Sequence, residues 1–225
     1  MKVISYFNFI ENFSLSDDGA AVLDLFKSSW AQLGWEPVIL NQAYAKTSEI
    51  YDQIGLDNFN SNFYAKLGKG VPLSYHTHCY ARLIAYSKYI KENGGAVFAD
   101  FDVINYGFSI DMIPEKNSYF NLERSAGFLG EDSADKIDSA LINFAESDVS
   151  KFKQWTLDIN VMHKFTKNFK LIEKINEYFY VGNAFTPRAS KSLMIHFDGG
   201  LYKRGAIPRS QPRSQVIKNY NLNNE

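Results

Sequence analysis

The sequence has little of three things: cysteine, net charge and long apolar runs. Its single cysteine, Cys79, excludes an intramolecular disulfide and favours a reducing, cytoplasmic location. Lys plus Arg number 24 and Asp plus Glu number 25, so the net charge of −1 argues against a nucleic-acid binder. No apolar run approaches the roughly 18 residues of a membrane-spanning helix, and residues 3–9 resemble a strand more than a leader, so we expect no transmembrane segment and no signal peptide.

The composition suits one folded core. With 225 residues, 45% of them apolar and 22% charged, the chain has the make-up of an ordinary globular domain. A chain of this mass buries about 70% of its surface on folding, so we expect a single domain over residues 1–225. Residues 188–225 differ from the rest because between Arg188 and Lys218 there are seven basic residues and one acid, Asp198.

Hydrophobic periodicity in the first forty residues predicts a parallel strand pair. Residues 3–9 and 35–40 are short apolar runs typical of buried strands. Between them, apolar residues recur at helical spacing over 18–33, with Ser16 or Asp17 as the expected N-cap. A strand, a helix and a strand in this order favour a parallel sheet.

Farther along the chain the pattern predicts more helices and strands. Residues 74–91 are expected to be a helix, 96–101 a central strand, 118–130 and 139–146 two strands around a polar turn, and 150–180 largely helical. The whole predicts an α/β fold with a twisted, mostly parallel central sheet, flanking helices and a small antiparallel hairpin.

The strongest chemical signal lies at the end of the central strand. There an apolar run delivers two carboxylates separated by one residue, Asp100 and Asp102. Ligands of open α/β sheets bind beyond the carboxyl ends of the strands. Hard oxygen ligands at that edge suit Mg²⁺ or Mn²⁺, which also hold substrate phosphates. An Asp-x-Asp pair alone is equally typical of a solvated strand end, so its context decides the interpretation.

That context resembles glycosyltransferases of the GT-A fold. Arg82 on the predicted helix, the turn Gly94–Gly95 and the strand end Asp100–Asp102 follow one another as in the DXD-containing sugar-binding region. Yeast mannosyltransferases, capsular-polysaccharide transferases and the large clostridial glucosylating toxins share this region. The similar stretch covers residues 76–105. The family usually has an aspartate a few residues before the arginine, and this chain does not.

A second resemblance lies near the other end of the chain. His196 begins a segment similar to the His-x-x-Gly-x-x-Lys element of glycogenin-like glycosyltransferases, in which the histidine completes the metal site and the lysine meets the diphosphate. In this chain the lysine, Lys203, arrives one residue later. The resemblance implies a metal held by Asp100, Asp102 and His196. Two carboxylates with one imidazole suit Mn²⁺ better than Mg²⁺.

Together the resemblances imply a reaction and a set of residues. The reaction is transfer of a hexose from a nucleoside diphosphate sugar, with UDP as the expected nucleotide, to a glycan, lipid-linked or protein acceptor, with retention of configuration. The implied catalytic residues are Asp102 and Lys203. For an inverting reaction, Glu131 and Asp132 are the carboxylates named as the base, with Asp132 carried forward as the candidate. The residues expected to contact the nucleotide sugar are Tyr6, Phe7, Asn8, Arg82, Asp100, Asp102 and Lys203.

Alternatives remain at this stage. A non-catalytic module of the same fold would bind the nucleotide sugar without turning it over. The basic segment is a solvated surface, a contact for an anionic acceptor or a membrane surface, or a lid over the diphosphate at residues 198–215. A nucleotidyltransferase is disfavoured because residues 8–18 lack a glycine-rich phosphate loop. No oligomeric state is predicted.

Overall fold

The computed structural model describes residues 1–8, 18–57, 73–113, 125–147, 181–183, 192–197, 208 and 210–222. The strands are β1 (Lys2–Tyr6), β2 (Glu36–Leu40), β3 (Ala96–Ala99), β4 (Val103–Asn105), β5 (Ala126–Leu129), β6 (Val181–Asn183) and β7 (Met194–His196). The helices are α1 (Gly19–Ala31), α2 (Gln42–Lys46), α3 (Glu49–Gln53), α4 (Leu73–Asn93), a 3₁₀ turn (Ile110–Met112), α5 (Ser133–Glu146) and α6 (Arg213–Leu222). None of these described helices is long and apolar enough to cross a membrane.

The central sheet has the strand order β2-β1-β3-β5. β1 pairs in parallel with β2 and with β3, and β5 joins the edge in the antiparallel direction. A second, smaller sheet has the order β4-β7-β6, in which β4 and β7 are antiparallel. The predicted fold class, a mostly parallel central sheet with flanking helices and a small antiparallel component, is confirmed.

Alternating side chains along β1 and β3 divide the core between the two faces of the central sheet. Ile4 and Phe98 pack on one face with residues of α2, α3, α4 and α5. Val3 and Val97 pack on the other face with residues of α1, the small sheet and α6. All four side chains are fully buried. Because a strand's side chains alternate between its faces, both layers are built from the same two apolar runs.

Most elements predicted from the first hundred residues are confirmed. The helix predicted over 74–91 is α4, and Gly94 follows it with φ of +82°, the left-handed conformation that glycine adopts at a helix end. The predicted N-cap of α1 is wrong. The residue at that position is Asp18, and its carboxylate accepts hydrogen bonds from the backbone and hydroxyl of Ser214, thereby connecting α1 to the start of α6.

The strand predicted over 139–146 is also wrong. Those residues belong to α5, where Ile137, Leu141 and Phe144 are buried at helical spacing. They pack with α4, and this burial decides between two periods that a short apolar run cannot distinguish. Of the run predicted as a strand over 118–130, β5 forms the last part. The helix predicted over 150–180 lies outside the described residues.

Candidate functional site

A tight turn at the end of β3 presents the two predicted carboxylates at the carboxyl edge of the parallel strands. The amide of Val103 donates to the carbonyl of Asp100 at 2.9 Å, which closes the turn around Asp102. The amide of Asp100 donates to the carbonyl of Ser125 at 2.7 Å. The chain thus leaves the central sheet after β3 and enters β4 of the small sheet within three residues. Both carboxylates are therefore fixed where the two sheets meet.

The register of the small sheet brings His196 to the same place. In the antiparallel pair β4–β7, His196 lies opposite Val103, and the amide of Phe197 donates to the carbonyl of Asp102 at 2.9 Å. The imidazole Nε2 consequently lies 3.1 Å from the Asp102 carboxylate Oδ1. Asp100, Asp102 and His196 each offer one ligand atom, and these atoms lie within 4.8 Å of one another. The structure therefore brings together the three residues predicted as metal ligands.

The spacing of these atoms fits a divalent cation. Six ligands at about 2.1 Å from an ion leave adjacent ligand atoms about 3.0 Å apart and opposite ones about 4.2 Å apart. The 3.1 Å between Asp102 Oδ1 and His196 Nε2 matches an adjacent pair. One imidazole nitrogen with two carboxylates is a donor set that suits Mn²⁺. The three residues thus form a donor set that fits a divalent cation.

Ser125 supports this cluster from the side. Its φ of +60° lies in the left-handed region, which a residue other than glycine adopts at a cost of about 1–2 kcal/mol. That conformation brings its Oγ to 3.4 Å from the Nδ1 of His196, and its hydroxyl also hydrogen-bonds the Asp100 side chain. Contacts of this kind fix the tautomer and orientation of a ligating histidine. Sequence analysis did not identify Ser125, since a lone serine before a strand carries no signal.

Two arginines pair with the two carboxylates. The Nη1 of Arg82 lies 2.6 Å from Asp100 Oδ1, and the Nη1 of Arg213 lies 2.6 Å from Asp102 Oδ2. The Arg82 pair is partly exposed, whereas the side chains of Arg213 and Asp102 are 4% and 9% exposed. Sequence analysis identified Arg82 through its resemblance but missed Arg213, because no local spacing connects it with a residue 111 positions away.

The electrostatics of the two carboxylates differ. Burial raises the pKa of Asp100, the Arg82 guanidinium opposes this shift, and the neighbouring Asp102 carboxylate adds to it. Burial also acts to raise the pKa of Asp102, but the charges of His196 and Arg213 outweigh it, so the net shift is downward. Asp102 is therefore held ionised, whereas the pKa of Asp100 is shifted upward.

The residues of β1 and its end that are predicted to contact the nucleotide lie at the same sheet edge but differ in how far they are buried. Tyr6 is buried, and its hydroxyl and the Nδ1 of His78 are 3.1 Å apart. Asn8 Nδ2 lies 3.3 Å from His78 Nε2. Phe7 is half-buried and packs edge-on against Phe101, with ring centroids 4.9 Å apart. Tyr6 is thus largely buried, whereas Phe7 and Asn8 are half-exposed at this edge of the sheet.

Asp132, named as a base for an inverting reaction, lies at the wrong end of the sheet. Because β5 runs antiparallel to β3, its last residue, Leu129, pairs with Ala96 at the start of β3. Asp132 comes three residues after Leu129 and so lies near the start of β3, whereas Asp100 and Asp102 follow its end. Its carboxylate pairs with Lys136 on the surface of α5. We therefore exclude Asp132 from the site on the basis of strand direction.

The predicted lid is described only at its end. Lys203 and residues 198–207 lie outside the described residues. Within 210–215, Arg213 and Ser214 are buried and bonded to Asp102 and Asp18, so this part is the docked start of α6.

Comparisons with known proteins give a likeness to solved structures and none to a protein family. No protein-family model matches the sequence, and no curated protein matches it. Among solved structures, the chain is similar to the crystal structure of a glycosyltransferase involved in the glycosylation of the major capsid of PBCV-1. The two share 9% sequence identity with a TM-score of 0.49, and the match covers 96% of this chain and 98% of the other. At that identity and score, the likeness by itself assigns no function.

Proposed function

We propose that the protein is a metal-dependent glycosyltransferase that takes a hexose from a nucleoside diphosphate sugar, with UDP as the preferred nucleotide and Mn²⁺ as the preferred metal. The observation that carries the proposal is the Asp100–Asp102–His196 cluster at the carboxyl edge of the parallel strands. Two segments distant in the chain, each similar to a glycosyltransferase element, converge there. A divalent cation, when bound, supplies Lewis acidity that stabilises the leaving diphosphate.

The residues around the cluster have separate roles in this proposal. Asp100, Asp102 and His196 would hold the cation, and Ser125 orients the imidazole. Arg82 lies one helical turn after His78 on α4, and its partly exposed guanidinium faces the donor's sugar or diphosphate. Lys203, by its resemblance, would meet the diphosphate.

The nucleobase would lie beside Asn8 and His78. Burial lowers the pKa of His78, so its imidazole is neutral at pH 7, and its two ring nitrogens lie beside the Tyr6 hydroxyl and the Asn8 amide. His78 would therefore hold Asn8 in place, and the Asn8 amide, which carries both a donor and an acceptor, would meet the uracil edge. Phe7 supplies the adjoining aromatic surface.

The two resemblances imply a retaining reaction. An inverting transfer needs a carboxylate opposite the leaving group to take the acceptor's proton. The two named for that task, Glu131 and Asp132, follow β5 at the far end of β3. In a retaining transfer the departing phosphate accepts the proton, and the surrounding residues only bind, orient and exclude water. Asp100 and Asp102 are then needed for binding the donor rather than for proton transfer.

The test is release of the nucleoside diphosphate. The protein is incubated with Mn²⁺ and a panel of UDP- and GDP-sugars, and nucleotide release and the anomer of the released sugar are followed by NMR. We expect Mn²⁺-dependent release from one UDP-sugar, with the donor's own anomer appearing first, and at least about a hundredfold loss in Asp102→Asn. Asp132→Asn is the matched control and should retain wild-type release. Donor binding without release would instead establish the non-catalytic binding module, and release that is unaffected by Asp102→Asn would refute the assigned site.

A further inference from the structure

Arg213 occupies an unusual position for a cation in a proposed metal site. Its guanidinium is 4% exposed and lies 2.6 Å from Asp102 Oδ2. The other oxygen of the same carboxylate, Oδ1, lies 3.1 Å from the imidazole of His196. Each oxygen of Asp102 therefore has its own neighbour: Oδ1 lies beside the imidazole of His196, and Oδ2 lies beside the guanidinium of Arg213.

The fold holds Arg213 in place. Its Nη1 also lies 3.4 Å from the carbonyl of Phe197, and its guanidinium stacks over the ring of Phe101 at 5.4 Å. The next residue, Ser214, is bonded to the Asp18 carboxylate through both its amide and its hydroxyl. Because the helix start is anchored at two separate points, the contact between Arg213 and Asp102 is part of the folded core rather than a surface ion pair.

Tyr220 gives α6 a third attachment, in the last turn of the helix. Its ring packs edge-on against Phe197, with centroids 5.4 Å apart, and also contacts Tyr106 at 5.8 Å. Phe197 directly follows β7, the strand that ends at His196. Tyr106 directly follows β4, the strand that begins one residue after Asp102. The helix that supplies Arg213 is thus packed on the same strands that position the proposed ligands.

We propose that Arg213 is a positioning residue that limits Asp102 to one coordinating oxygen and offsets its charge, so that the site binds a divalent cation together with a diphosphate rather than alone. This inference rests on the proposed function. Coordination through both oxygens would require Oδ2, which the guanidinium holds. Coordination through Oδ1 alone leaves more positions on the cation for phosphate oxygens.

Charge leads to the same conclusion. Among the described residues, Asp100 pairs with Arg82 and Asp102 pairs with Arg213, so two negative charges are offset by two positive ones. Such a cluster, with no net charge, attracts a divalent cation only weakly. Once the cation is bound, the site would carry a strong positive charge. A diphosphate then neutralises that charge. Each ligand should therefore raise the affinity of the other, and the coupling must be equal in both directions.

The experiment measures Mn²⁺ binding by EPR and calorimetry, first with MnCl₂ alone and then with UDP present. The wild-type protein is expected to bind Mn²⁺ weakly alone and about a hundredfold more tightly with UDP. In Arg213→Gln, removing a charge near the cation should strengthen binding of Mn²⁺ alone about tenfold and reduce the gain from UDP by a similar factor. Arg213→Lys keeps the charge and should stay within about threefold of wild type for Mn²⁺ alone.

Ser214→Ala is the matched control, because it weakens the anchoring of the same helix through Asp18 without altering the charges at the cluster. It should bind Mn²⁺ as the wild-type protein does. If Arg213→Gln does not fold, the wild-type measurement can still overturn the inference. Equal Mn²⁺ affinity with and without UDP would overturn the inference, as would an Arg213→Gln protein that folds and binds Mn²⁺ alone no more tightly than wild type.

Failure of the proposed function gives a different result. If neither the wild-type protein nor Arg213→Gln binds Mn²⁺ with UDP present, the metal site itself is absent and both proposals fail. If Mn²⁺ and UDP bind together and Asp102→Asn abolishes this, but Arg213→Gln resembles wild type throughout, the site stands and only the role of Arg213 is overturned.

Discussion

Replacing Asp102 by asparagine tests how strongly the buried ion pair with Arg213 supports the fold. The side chains are 9% and 4% exposed, and their nearest atoms are 2.6 Å apart. Charges whose centres lie about 4 Å apart attract by about 4 kcal/mol at an effective dielectric constant of about 20. Removing one partner of a buried pair costs about 3–5 kcal/mol, because the other charge stays buried without compensation. We therefore expect Asp102→Asn to lower the free energy of unfolding by about 3–4 kcal/mol.

The assay is urea unfolding followed by circular dichroism at pH 7 with EDTA, so that no cation contributes. Thermal unfolding should show a matching fall in Tm of about 6–16 °C, since 1 kcal/mol shifts Tm by about 2–4 °C in a chain of this size. Asp132→Asn is the control. It breaks an exposed pair with Lys136 and should change the unfolding free energy by less than about 1 kcal/mol.

The same ion pair predicts a pH dependence with a definite sign. The pKa of Asp102 is lowered in the folded protein, so its stabilising effect is present above the unfolded value of about 3.9 and is lost as the pH falls below it. The stability difference between wild type and Asp102→Asn should therefore shrink as the pH falls below about 4. A variant within about 1 kcal/mol of wild type at pH 7 would refute the reasoning.

Three further predictions concern residues around the site. Ser125→Ala should weaken Mn²⁺ binding in the presence of UDP about tenfold by releasing the imidazole of His196; unchanged affinity in calorimetry would contradict this. Burial lowers the pKa of His78, so the wild-type protein should lose stability as the pH falls below about 6.5, where the unfolded chain takes up a proton. The check is the fall in the urea unfolding midpoint between pH 7 and pH 5.5, which should be smaller in His78→Gln than in wild type. The same fall in both proteins would exclude His78 as its source. Lys203→Ala should reduce kcat more than it weakens UDP binding, because charge on the leaving diphosphate grows in the transition state; equal effects on both would count against that role.

Local patterns were sufficient for the parts of the fold that depend on neighbours in sequence. The apolar runs of β1 and β2 and the helical spacing of α1 predict a parallel strand pair, and β1 pairs with β2 in that way. The position of Asp100 and Asp102 at a strand's carboxyl end also follows from sequence, since the apolar run of β3 stops one residue before Asp100. Here one segment contains the whole signal.

Features that depend on distant segments could not be derived in this way. Asp132 was placed near the site because sequence does not give the direction of β5, which runs antiparallel to β3. His196 was assigned only by resemblance, and its approach to Asp102 depends on the register of β4 against β7. Arg213 was missed because its partner lies 111 residues away, and only the packing of α6 brings the two together.

The measurement that tests the central claim most directly is calorimetric titration of UDP into the wild-type protein and into Asp102→Asn, each with Mn²⁺ and with EDTA. The cluster of Asp100, Asp102 and His196 predicts that Mn²⁺ raises the UDP affinity of the wild-type protein about a hundredfold, and that Asp102→Asn, still folded at the temperature of the titration, shows no such gain. The same UDP affinity for the wild-type protein in Mn²⁺ and in EDTA would contradict the account.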